Sequence, residues 1–167
     1  MKARKATPLA RIQLLVLDVD GVLTDGRLYF AARGESLKVF HVRDGHGIKL
    51  LMSVGVQVAA FSGRRSGAVA ARMRELGVAH VVQACGDKVA ALHRLTEQLD
   101  VDPVNCACLC DDTPDLPLMT AVGMAGAVAD AHPLVRSAAH WIAKAKGGRG
   151  AVRELCDAML RARAGRR

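Results

Sequence analysis

Six short apolar runs alternate along this chain with longer amphipathic stretches, and that alternation limits the possible folds more than any other feature. The runs are Leu14–Leu17, Val56–Phe61, His80–Gln83, Cys106–Leu109, Met124–Val128 and His140–Ile142. The stretches that follow predict helices over Gly45–Val54, Ser66–Leu76, Lys88–Leu99, Pro114–Ala121, Pro133–Ala138 and Ala151–Arg161. Strands separated by single helices imply βαβ units and a parallel sheet. Leu28–Phe30 and Leu37–His41 break the rhythm and flank Ala31–Ser36, a turn containing Gly34, so they read as a hairpin. The expected architecture is a three-layer α/β sandwich with one hairpin excursion. At 167 residues, with no linker or repeat, the expectation is one domain over 1–167.

The acidic residues are distributed unevenly. Twelve of the sixteen are Asp, and six of those fall in two clusters: Asp18, Asp20 and Asp25, then Asp111, Asp112 and Asp115. Unpaired like charges repel, so such clusters call for a cation. In extended chain, residues two apart share a face. Asp18 and Asp20 would therefore point together from the carboxyl end of the first strand, where open α/β sheets bind ligands. Oxygen donors with little His or Cys nearby favour Mg²⁺ over Zn²⁺. With a metal holding a phosphate, one Asp can attack phosphorus and the other can move protons. A strand-end pair that merely caps a turn is the plain alternative for D-V-D taken alone.

Three further strand ends carry matching chemistry. Ser62 and Gly63 open the turn after the second strand, and a hydroxyl with helix-start N–H groups can cradle a phosphate. Lys88 follows the third strand at a helix start, an end the helix dipole does not assign to a cation. The fourth strand runs into C-D-D-T-P-D-L-P, a source of more metal ligands. Taken singly, Ser62 is an N-cap, Lys88 a surface lysine and the acidic segment a turn.

Composition excludes other classes. The net charge of +8 suggests anionic partners, but one Trp, one Tyr and three Phe give little stacking surface for nucleic acid. Much of the basic excess lies in Lys2–Arg11 and Lys144–Arg167, which read as basic tails. No apolar run approaches the roughly 20 residues of a membrane span. The run after the basic N-terminus stops at Asp18, short of a signal-peptide core. The expectation is a cytoplasmic protein with no nucleic-acid or membrane partner. The five cysteines show no disulfide framework, and C-A-C-L-C reads as small buried residues in a strand. The six histidines show no metal spacing. His46 reads as a satisfied turn residue and Trp141 as core.

D-V-D-G-V-L-T-D-G, S-G-R, a following Lys and D-D-x-x-D together resemble the haloacid dehalogenase-like phosphatase superfamily. Receiver domains use similar groups in another order, with the acidic pair ahead of the phosphorylated Asp. V-R-D-G-H-G-I-K-L-L, A-D-A-H-P and G-G-R-G-A-V-R-E narrow the resemblance to the 3-deoxy-D-manno-octulosonate 8-phosphate phosphatase family, over about Leu14 to Leu160. The resemblance implies a Rossmann-like sandwich without a cap domain, and a phosphatase serving lipopolysaccharide precursor synthesis through an aspartyl-phosphate. It implies Asp18 as nucleophile, Asp20 as general acid/base, and Ser62 and Lys88 as phosphoryl-binding groups. Mg²⁺ would be held by Asp18, the Asp20 carbonyl and Asp111, with Asp115 in support. Gly63 and Arg64 would face the substrate. It further implies a homotetramer in which neighbouring hairpins and tails complete each site, with Arg149 of the Gly-rich tail holding the sugar acid.

Two departures stand out. Cys110 replaces the family's Gly before the acidic pair, and Q-A-C-G-D-K before Lys88 is atypical. If that Gly serves a positive φ, activity would weaken; if the strand stays extended, Cys110 points away from Asp111. A phosphatase for another 2-keto sugar acid phosphate, of sialic acid type, is the nearest alternative. A catalytically silent assembly domain is the other, and the retained Asp18, Asp20, Ser62, Lys88 and Asp111 speak against it.

Overall fold

Leu14–Asp18 (β1) is buried on both faces, as a central parallel strand must be. The computed structural model, which describes residues 6–32 and 34–165, pairs β1 with Gln57–Phe61 (β4) on one side and Cys106–Cys110 (β6) on the other. His80–Val82 (β5) extends the sheet beyond β4; Met124–Ala127 (β7) and Trp141–Ile142 (β8) extend it beyond β6. All six strands run parallel in the order β5-β4-β1-β6-β7-β8. The chain thus builds outward from β1 in one direction, then returns to build outward in the other. Between β1 and β6 lies the switch point, where a crevice opens at the carboxyl ends.

Helices Val42–Ser53 (α1), Gly67–Leu76 (α2), Lys88–Leu99 (α3), Leu116–Ala121 (α4), Pro133–Ala138 (α5) and Ala151–Ala164 (α6) flank the sheet. Packing of α1 with α2 and α6, and of α3 with α4 and α4 with α5, makes the two helical layers. Local signals set several ends. Ser66 accepts from the Val69 N–H at the start of α2, and Asp87 accepts from Val89 and Ala90 at the start of α3. The hairpin is Tyr29–Ala31 (β2) with Gly34–Leu37 (β3), antiparallel and outside the main sheet.

Three expectations change. The second strand of the hairpin, expected over Leu37–His41, lies at Gly34–Leu37, so Gly34 opens the strand rather than sitting in the turn. Helix α1 starts three residues before Gly45, so His46 stands on a helix and not in a turn. Packing outweighs glycine's poor helix propensity here: a side chain at Gly45 would meet Arg72, and one at Gly47 would meet Arg153 and Cys156 of α6. The basic termini are also less free than their composition suggests. Met1–Lys5 and the last two arginines of the chain lie outside the described residues. Between them, the Thr7 N–H donates to the Gly123 carbonyl, Leu9–Arg11 forms a 3-10 turn, and α6 packs on α1. Trp141 is half-buried on the edge strand β8. Among the described residues no helix is long and apolar enough to cross a membrane.

Asp44 fastens the last helix to the first. Its carboxylate, 1% exposed, accepts from the Gly150 N–H at 3.3 Å and the Arg153 N–H at 2.8 Å. Those are N–H groups at the start of α6 that have no partner within the helix. Asp44→Ala should therefore lower the unfolding free energy by about 2 kcal/mol. Urea denaturation reads this directly, and an unmoved midpoint would show that α6 is anchored elsewhere.

Candidate active site

The parallel register brings the chemistry together. Asp18 pairs with Phe61, so Ser62 lies one residue beyond the end of β4 beside it. Leu17 pairs with Leu109, so Asp18 is level with Cys110 and one step short of Asp111. The 3-10 turn Thr113–Asp115 then carries Asp115 back toward the strand ends. One cleft is lined by Asp18, Asp20, Gly63, Arg64, Lys88 and Asp111, with Cys85, Gly86, Asp112, Pro114 and Asp115 around them. Every residue expected at the site is in or against this cleft except Arg149; Ser62 lies just behind it.

Carboxylate oxygens of Asp18, Asp111 and Asp115 lie within 4.8 Å of one another. Such a hard-oxygen set fits a cation such as Mg²⁺. Burial and crowding show what these acids lack without one. Burial, opposed by Lys88 and reinforced by Asp115, lifts Asp18 to about 6. Burial and then the charges of Asp18 and Asp115 lift Asp111 to about 8. Lys88 offsets part of the repulsion, since its ammonium donates to Asp18 Oδ1 at 2.6 Å and to Asp115 Oδ1 at 2.5 Å. Burial alone would depress Lys88, but the two carboxylates outweigh it and hold the ammonium above its ordinary value. This explains a cation at the start of α3 against the helix dipole: it answers the acidic triad.

Asp20 sits beside the triad on the turn Val19–Leu23. Its Oδ2 accepts from the Ser62 hydroxyl at 3.4 Å, and Ser62 Oγ accepts from the Arg64 N–H at 3.1 Å. Ser62 is thus a buried link between the end of β4 and Asp20 rather than the cap of α2, a role that Ser66 takes. The Arg64 guanidinium lies over the Phe30 ring, 5.5 Å from its centre. Gly21 explains its own identity. Its φ is +95°, and any Cβ there would collide with the Asp111 carboxylate. Cys110 is fully buried in β6 and is not among the positive-φ positions, so the extended-strand alternative holds for it. Burial pushes Cys106 and Cys156 up to about 12, and a hydrogen bond with Cys108, reinforced by burial, holds Cys110 well above its ordinary value, so these thiols stay neutral.

The Gly-rich segment is ordered by contact with this site. The Gly147 N–H donates to Asp130 Oδ1 at 3.0 Å, and the Gly148 N–H to the Val22 carbonyl at 2.9 Å. A side chain at Gly147 would strike the Gly21 carbonyl, and one at Gly148 the backbone of Thr24 and Asp25. The segment thus backs the turn that carries Asp20. Arg149 itself is exposed, 3.5 Å from Asp25, in a groove separate from its own chain's cleft. Asp25 belongs to that groove as well and not to the acidic triad.

Sequence reasoning missed Lys38. Its side chain is 1% exposed, and its ammonium bonds Asp20 Oδ1 and pairs with Glu35 Oε2 at 3.0 Å. The neighbouring Leu37 and Val39 are 52% and 51% exposed. The charged residue faces in and the apolar residues face out, the reverse of what hairpin alternation suggests. A hairpin with apolar residues on both sides of a lysine carries that signal only when the buried face is known.

Residues 77–155 match the model of the haloacid dehalogenase-like hydrolase family. The chain is 47% identical over 151 residues, 90% of its length and 81% of the relative's, to the 3-deoxy-D-manno-octulosonate 8-phosphate phosphatase KdsC of Yersinia pestis. The chain belongs to the 3-deoxy-D-manno-octulosonate 8-phosphate phosphatase family. Two solved family structures agree in fold. The cobalt-bound deoxy-D-mannose-octulosonate 8-phosphate phosphatase of Haemophilus influenzae superposes with a TM-score of 0.92 at 42% identity, covering 95% of this chain and 92% of that one. The Moraxella catarrhalis enzyme, solved with magnesium ion, phosphate ion and KDO, gives 0.91 at 36% identity over 94% and 90%. The six-stranded parallel sheet with its small hairpin is thus the family fold.

The raised carboxyls give a signed test of the metal site. Asp18 and Asp111 hold protons in the metal-free fold that the unfolded chain, at 3.8, would release. Their contribution to stability is therefore present below about pH 4 and lost as pH rises through about 6 to about 8. Mg²⁺ held on the ionised carboxylates would replace that loss. The gain in melting temperature on adding Mg²⁺ should be larger at pH 8 than at pH 6, read by scanning fluorimetry. A gain independent of pH would separate the metal from this cluster.

Proposed function

We propose that this chain acts, as a single catalytic domain, as a Mg²⁺-dependent phosphatase that hydrolyses 3-deoxy-D-manno-octulosonate 8-phosphate to the free sugar acid and phosphate. The observation that carries the reading is the Asp18 carboxylate, set at the end of β1 against Lys88 and beside Asp111 and Asp115. Asp18, Asp111 and Asp115 would hold Mg²⁺, with the Asp20 carbonyl as a further ligand. When bound there, the ion would supply positive charge opposite the phosphoryl oxygens. One Asp18 oxygen attacks phosphorus and forms an aspartyl-phosphate as the bond to the sugar oxygen breaks. Asp20 gives that oxygen its proton, then takes one from the water that attacks the aspartyl-phosphate and frees Asp18. Lys88 and Ser62 hold the phosphoryl group while charge builds on its oxygens, which is most of what phosphoryl transfer asks of a protein. Gly63 and Arg64 line the approach on the substrate side.

The same reading assigns a homotetramer in the cytoplasm, serving lipopolysaccharide precursor synthesis. Supporting assembly, the hairpin and the residues after it expose the apolar side chains Phe30, Leu37, Val39 and Val42, which a partner would cover. Arg149 supports it differently. Being outside its own cleft, it can hold a sugar carboxylate only in a neighbour's site. Its guanidinium suits that group.

Two variants test the two halves of the reading. Asp18→Asn should leave no turnover of any phosphate ester, because an amide does not attack phosphorus. Retained turnover, with deamidation excluded by mass spectrometry, would move the nucleophile elsewhere. Arg149→Ala should lower kcat/KM for the sugar phosphate about 10-fold or more while sparing an aryl phosphate, a loss equivalent to one charge-assisted contact. The protein should also run as a tetramer in light scattering. A fully active monomer would refute the shared site and leave Asp18 chemistry standing.

A further inference from the structure

The hairpin brings a buried cation to the one carboxylate that must aim a proton. Asp20 lies on the turn Val19–Leu23, where its own backbone is non-helical and the next residue is Gly21 at φ +95°. Nothing in that turn fixes which way the carboxylate points. Its two oxygens are fixed from outside: Oδ2 by the Ser62 hydroxyl at 3.4 Å, and Oδ1 by the Lys38 ammonium. Lys38 is itself held, pairing with Glu35 Oε2 at 3.0 Å, and the other Glu35 oxygen accepts from the Ser66 hydroxyl. Ser66 is in turn fixed twice. Its N–H donates to Gln83 Oε1 at 2.5 Å, and its Oγ accepts from the Val69 N–H at the start of α2. A continuous chain of charged and polar contacts therefore runs from α2 through the hairpin to Asp20.

We propose that Lys38 is the positioning residue of Asp20, holding its carboxylate on the line along which it hands a proton to the leaving oxygen. The inference rests on the assignment of Asp20 as general acid/base made above. Three features favour positioning over a plain surface ion pair. The Lys38 side chain is 1% exposed, and a buried ammonium persists only when its partners are well placed. Glu35 shares that ammonium, so the Glu35–Lys38 pair brings no net charge to Asp20 and acts through direction. Finally, the residues flanking Lys38 face solvent, so no core packing of its neighbours draws the lysine inward. Its burial follows from its polar contacts. A long flexible stem ending in three donors suits one ammonium to two carboxylates.

The prediction turns on the leaving group. A poor leaving group such as a sugar alkoxide needs a proton as the bond breaks, whereas 2,4-dinitrophenolate needs none. kcat/KM reports events up to the first irreversible step, here transfer to Asp18. In the full-length protein, Lys38→Met should lower kcat/KM about 10-fold or more for the sugar phosphate and less than about 3-fold for 2,4-dinitrophenyl phosphate, part of the 10²–10⁴ that general acid catalysis supplies. Asp20→Asn, run in parallel, should show the same discrimination with a larger loss. Glu35→Gln should show it with a smaller loss, and it carries the test alone should Lys38→Met not fold. If Asp20→Asn discriminates between the two esters and the Lys38 and Glu35 variants do not, the positioning role is overturned while the acid assignment stands. If Asp20→Asn itself falls equally on both esters, the acid assignment fails and the inference falls with it. Equal losses on both esters from Lys38→Met would mark a merely structural contact.

Discussion

The Lys88 ammonium between Asp18 and Asp115 is the contact on which the rest of the active edge depends. Three carboxylates within 4.8 Å would otherwise repel one another in a place where water screens little. One cation does not balance three carboxylates, and burial together with the charges of neighbouring carboxylates raises Asp18 and Asp111. A divalent ion fits that deficit in both charge and donor type. The sheet supplies the positions, because the carboxyl ends of β1 and β6 are adjacent and β5 leads into the lysine on α3.

Around this charged centre the surroundings act by shape. Gly21 admits the Asp111 carboxylate where any side chain would collide, and Gly147 admits the Gly21 carbonyl in the same way. Backbone therefore stacks on backbone behind Asp20. On the other side the hairpin turns Glu35 and Lys38 inward and its apolar residues outward. The two faces of the hairpin answer to different neighbours, the inner one to the Asp20 turn and the outer one to whatever covers Leu37 and Val39.

Much of this was legible in the sequence because the signals were local and independent. All six apolar runs became strands within one residue of the expected ends. Lys88–Leu99 and Pro133–Ala138 formed as expected, each with a cap side chain at its start. The acidic pair, the hydroxyl, the lysine and the second acidic group could be placed in one cleft because a parallel sheet puts all strand ends of one sense on one edge. What stayed hidden depended on contacts between distant segments. Lys38 is buried only because β3 folds back on the Asp20 turn. Helix α1 begins at Val42, through two glycines, only because α2 and α6 press on it. Arg149 faces Asp25 because Gly147 and Gly148 dock on the turn below.

That docking has a consequence for the order in which the molecule is made. Asp18 and Lys88 are 70 residues apart, and Gly150 meets Asp44 across 106. Synthesis delivers the N-terminal segment first, so Asp18 and the Asp20 turn emerge long before the segment that backs them. Contacts this far apart in sequence also close slowly, since much of the chain must order before they form. The catalytic edge is therefore among the last parts of the molecule to be completed. A nascent chain carries Asp18 without its lysine, and later carries the cleft without its backing, so a chain that stops before Gly147 has all six strands of the sheet and an unsupported Asp20 turn.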